Sequence, residues 1–113
     1  MGENKDYMTH PEELGYIHIS EEVLASIAAG AAVEVEGISG LMNQTGKKAN
    51  AKGVRIAVEG ESAVVDLHVM IQYGYAIPEV AEKVQTAVAS SLEAMTGFAV
   101  KAVNVHVGGV SFQ

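Results

Sequence analysis

Three histidines and one aspartate are the residues whose types best suit chemistry. His18 lies in GYIHIS, Asp66 and His68 in AVVDLHVMI, and His106 in AVNVHVGG. Each takes an outward position in an alternating apolar segment, where successive side chains point to opposite faces of a strand. In a sheet that makes the three strands neighbours, about 4.8 Å apart, the imidazoles would project side by side. With Asp66 they would offer nitrogen and oxygen ligands to zinc or a similar metal. Solvated histidines on a wet sheet face are the plainer reading of the same pattern. Asp66 and His68 also resemble a base and its orienting carboxylate. Positions i and i+2 on an open face enclose no pocket, however, so catalysis is not expected there.

A second cluster is basic. Lys47, Lys48, Lys52 and Arg55 place four of the seven positive charges within nine positions, in a stretch bounded by glycines. Such a cluster suits phosphate, lipid head groups or an acidic protein surface. The plainer reading is a solvated loop. The whole chain carries 14 acidic against 7 basic residues, a net charge of −7. That balance repels phosphate backbones, so nucleic acid is not an expected partner.

Other chemistry is excluded by what is missing. With no cysteine there is no disulfide, thiolate metal site or cysteine nucleophile. No serine sits on a nucleophile elbow. Gly37-Ile38-Ser39-Gly40 and Gly108-Gly109 lack the spacing of phosphate-binding loops and read as turns. The chain is therefore not expected to be an enzyme or to need a cofactor. No apolar stretch approaches the roughly 18 residues of a membrane span. The polar, acidic start is not expected to be a signal peptide.

The elements that must position these residues follow from periodicity. Residues 1–14 are polar and read as a disordered tail; residues 15–113 read as one α+β domain. Tyr16 to Ile19 is a short strand. Ser20 caps a helix running to about Val35, with Leu24, Ile27, Ala28, Ala31 and Val35 as its buried stripe. Glu36 to Gly53 reads as irregular. Val54–Glu59 and Ala63–Tyr73 are alternating strands joined at Gly60-Glu61-Ser62. Pro78 opens a second helix with Val80, Val84, Val88, Leu92 and Met95 on one stripe, and Gly97 stops it. A last strand spans about Ala99 to Val107, with Asn104 and His106 facing out. The order β-α-β-β-α-β predicts two helices on one face of an antiparallel sheet, in a ferredoxin-like or similar layout.

Three segments together resemble the alkaline shock, or Gls-type general-stress, family of Gram-positive bacteria. They are IHISEEVLASIAAGAAVEVEGISGL, KGVRIAVEGESAVVDLHVMIQYGYAIPEVAEKVQ and MTGFAVKAVNVHVGGVSF. The combination YG-x-x-IPEVA, then MTG, then VNVHV-x-GV carries the likeness. It implies a non-enzymatic cytoplasmic protein of the envelope stress response, at the inner face of the membrane through a membrane-anchoring protein partner. Self-association is a further expectation. The alternative it leaves open is a regulator of fatty-acid synthesis at the level of acetyl-CoA carboxylase, or a module binding a small ligand or metal. The family lends no catalytic residue. Asn104 and His106, polar and outward, are the positions expected to meet a partner, with Lys47, Lys48, Lys52 and Arg55 as a second contact group.

Overall fold

The computed structural model of the protein describes residues 7–12, 14–42 and 53–112. Its centre is β5 (Ser62–Gln72), whose side chains alternate strictly between half-buried and buried. Ala63, Val65, Leu67, Val69 and Ile71 are each at most 3% exposed, which makes this strand the spine of the core. Asp66, His68 and Met70 point the other way.

Both edges of β5 are occupied. On one edge lies β6 (Ala99–Ser111), parallel, paired from Ser62↔Ala99 to Gln72↔Ser111. On the other lie β4 (Val54–Glu59) and β3 (Ile38–Leu41), both antiparallel to β5. β3 and β4 sit end to end and act as a single edge strand. The Met42 N–H donates to the His68 carbonyl at 2.8 Å, and the His68 N–H donates to the Gly53 carbonyl at 2.9 Å. The chain therefore leaves this edge at Met42 and rejoins it at Gly53. A side chain at Gly53 would place its Cβ 2.6 Å from the Met42 carbonyl oxygen, and φ is +85° there, so glycine is required.

Two helices cover the face that holds the buried residues of β5. Ser20 caps α1 (Glu21–Val33) by accepting from the Val23 N–H, and Glu21 and Glu22 face its positive end. Its buried side is Leu24, Ala25, Ala28, Ala29 and Ala32, whereas Ile27, Ala31 and Val35 of the expected stripe are only partly buried against the core. Four alanines in five contacts let the helix axis come close to the sheet. α2 (Ile77–Thr96) carries Pro78 in its first turn and ends at Gly97, which is left-handed at φ 78°. Its stripe is Val80, Val84, Val88 and Leu92, as the spacing predicts. Met95 falls off that stripe and is 70% exposed. Because α2 carries the chain back over the sheet, β6 returns parallel beside β5, as a strand–helix–strand unit requires.

The α+β class with two helices on one sheet face stands, and four further details differ. The strand around His18 is β2 (Gly15–Ser20), and it does not enter the main sheet, because β5 has no free edge to give it. It pairs instead with β1 (Tyr7–Glu12), antiparallel from Tyr7↔Ser20 to Glu12↔Gly15. Residues 7–12, read above as part of a disordered tail, are thus a strand; residues 1–6 lie outside the described residues. Ile38–Leu41, read as irregular, is strand β3. Gly108 and Gly109, read as a turn, lie inside β6.

Candidate interaction surface on the open sheet face

The face of the sheet opposite the helices is polar at its centre. The β5–β6 register sets Asp66 beside Asn104 and His68 beside His106. The Asn104 amide donates to Asp66 Oδ1 at 3.0 Å, and His106 Nε2 lies 3.5 Å from the same oxygen. The rings of His68 and His106 stack, with centroids 4.6 Å apart and planes 14° apart. One carboxylate oxygen thus bonds Asn104 and lies beside His106, and a ring pair extends the cluster along the strands. The His106 side chain is 52% exposed and that of Asp66 30%, so solvent reaches the cluster and screens its charge.

Arg55 of β4 is exposed and stands opposite Asp66 in the antiparallel register, on the same face. Below the histidines the surface turns apolar. A Cβ at Gly108 would lie 2.8 Å from Met42 Sδ, and one at Gly109 3.4 Å from Met70 Cε. The two glycines therefore make room for two methionines, at a point where the β5–β6 register slips by one residue. At the end of the sheet, Tyr73 and Phe112 pack ring against ring at 4.9 Å while remaining 70% and 77% exposed. The glycine pair within an alternating strand was a sequence signal for this close approach. The aromatic pair had none, since it arises from the parallel return of β6.

Asp66, His68, Asn104, His106 and Arg55 are brought to one face. His18 is not: it belongs to the separate β1–β2 ribbon. Lys47, Lys48 and Lys52 lie outside the described residues, but the ends of their segment, Met42 and Gly53, are both bonded to His68. Stacked rings aim their nitrogens side by side rather than at a common point. Among the described residues no group of three or more His, Asp or Glu is disposed to hold a metal ion. The helical side offers a shallow open groove of about 520 Å³ lined by Val35, Glu36, Glu82, Lys83, Thr86 and Ala87. Its lining contains no histidine, so no imidazole stands beside the Thr86 hydroxyl as a base. Beside it, the Tyr75 hydroxyl donates to Glu36 Oε2 at 3.2 Å, and that bond, with the carboxylate charge, holds the phenol above its ordinary pKa.

The profile of the alkaline shock protein 23 family, described as having a cell envelope-related function, matches residues 9–112. The chain belongs to this family. The match covers both sheets and both helices, and begins within β1. The chain is 39% identical over 106 residues to the uncharacterised protein YloU of Bacillus subtilis, covering 85% of this chain and 88% of that one. It is 35% identical over 105 residues to the uncharacterised protein Spy1535 of Streptococcus pyogenes serotype M6, covering 88% and 81%. Among solved structures, a variant of the MamM CTD superposes with a TM-score of 0.54 at 16% identity, over 79% of this chain and 94% of that one. At that identity the likeness concerns the fold alone. No helix among the described residues is long and apolar enough to cross a membrane.

Proposed function

We propose that this family member is a non-enzymatic interaction protein of the cell-envelope stress response, and that its open sheet face is the surface a partner protein covers. The observation that carries this reading is the Asp66–Asn104–His106 cluster with His68 stacked on it, held on two paired strands and left to solvent. A contact site on strands keeps its geometry better than one on loops. Polar groups ringed by Met42, Met70 and small residues also match the mixed character of protein interfaces.

Asn104, His106 and Arg55 are the side chains that meet the partner, with Lys47, Lys48 and Lys52, outside the described residues, as a second contact group. The partner is a membrane-anchored protein, and through it the chain resides on the cytoplasmic side of the membrane. Fractionation of cells expressing the full chain tests this. The native chain is expected in the membrane pellet, and Asn104→Ala/His106→Ala in the soluble fraction at equal abundance. A double variant that stays in the pellet would overturn the assignment of the face.

A further inference from the structure

β6 is 13 residues long and, among the described residues, pairs with β5 on one side only. Its outer edge is capped over its first half by α2. The Val100 N–H donates to Glu93 Oε2 at 3.0 Å, and Gln85 Nε2 donates to the Val103 carbonyl at 3.0 Å. Backbone groups along a strand alternate between its two edges, so Val105 and Val107, like Val103, direct their N–H and C=O outward. Asn104 and His106 direct theirs to β5. From Ala102 to Phe112 there is no Asp, Glu, Lys, Arg or Pro, the residues that usually guard an exposed edge. Two copies can therefore bring this segment together without opposing charges there, although each chain carries −7.

We infer that β6 pairs antiparallel with β6 of a second copy, about a two-fold axis at His106. The register follows from which groups are free. An axis at Val105 would require the Val103 carbonyl, which Gln85 already holds. An axis at Val107 would set Val105 against Gly109, which lies past the slip in register and directs its groups to β5. An axis at His106 matches Val105 with Val107 of the second copy and Val107 with Val105, giving four N–H to C=O bonds. The two His106 residues then form the non-hydrogen-bonded pair, with Cα atoms about 4.5 Å apart. The second copy thus adds its own imidazoles to the open face, extending the His68–His106 stack into a row across the axis. This is independent of the partner reading above, since a monomer could still bind a partner by its face.

The chain has no cysteine, so one introduced thiol reports the register without interference. A separation of about 4.5 Å between Cα atoms suits a disulfide. Under oxidising glutathione, full-length His106→Cys is expected to convert to a covalent dimer. Lys101→Cys, five residues along the same strand and so ten residues from its mate, is expected to remain monomeric. Light scattering of the unmodified chain is expected to give twice the 11.8 kDa of one copy. A monomeric mass for the unmodified chain with no cross-linking of His106→Cys overturns the inference. Equal cross-linking of both thiols overturns the register and with it the paired edge.

Discussion

His68 and His106 stand ring over ring, 4.6 Å apart, because β5 and β6 run parallel in a register that pairs these two residues directly. Their proximity is a property of strand pairing, so each ring reports on the other. Removing one aromatic ring should shift the ring resonances of its neighbour. In His106→Ala, the His68 ring signals are expected to move while the amide spectrum of α1 and α2 stays in place. Unmoved His68 signals would show that the two strands are not paired in this register.

The same stacking bears on metal. Parallel rings do not converge their nitrogens, and His18 sits on the other sheet. Excess zinc is accordingly expected to leave the melting temperature and the His68 and His106 resonances unchanged. A rise in melting temperature with coupled shifts of both rings would revive an N/O metal site with Asp66.

The two faces of β5 should respond differently to truncation. Leu67 is fully buried between the helices and the sheet, and Leu67→Ala is expected to cost about 2–5 kcal/mol of stability. Asn104→Ala, on the exposed face, is expected to stay within about 0.5 kcal/mol. Urea titration compares them. Equal losses would mean the open face is structural rather than available for contact.

The edge formed by β3 and β4 can be probed at its junction. Gly53→Ala meets the Met42 carbonyl and a left-handed backbone at once, and is expected to cost about 1–3 kcal/mol. Gly108→Ala meets only the end of the flexible Met42 side chain, and is expected to cost less. If the order is reversed, the end-to-end arrangement is wrong.

Tyr75 supplies a pH signature on the helical side. Its phenol is held above 10.0, first by its bond to Glu36, then by the carboxylate charge and a little burial. A raised folded-state pKa contributes stability that is fully present below the unfolded value and is lost as pH rises through the folded one. The contribution is thus complete up to about pH 10 and disappears above it. Ultraviolet titration checks this: the Tyr75 ionisation should move to lower pH in Glu36→Ala than in the native chain, and an unchanged ionisation would rule out the bond as its cause.

Much of this architecture can be read from periodicity. Val80, Val84, Val88 and Leu92 announce α2, Gly97 announces its end, and the alternation through Ala63 to Ile71 announces the spine. The outward positions of Asp66, His68, Asn104 and His106 come from the same alternation. Their mutual contact does not, because the register between β5 and β6 is set by the α2 crossover and not by either strand. Ile38–Leu41 is too short, and its Ser39-Gly40 too polar, to show a period. The strand at His18 carries a clear pattern, yet its place depends on β5 having both edges filled. What looked like a glycine turn at Gly108-Gly109 is instead a strand opened for Met42 and Met70.

A partner protein that covers the open sheet face must come within reach of Asn104 and leave the exposed side of α2 free. Photo-crosslinking in cells tests it most directly, with a photoreactive residue placed at Asn104 or, as the control, at Glu82 on the exposed side of α2. Adducts of the chain with a second, membrane-anchored protein are expected from position 104 and none from position 82. Adducts from position 82 alone, with none from position 104, would contradict it.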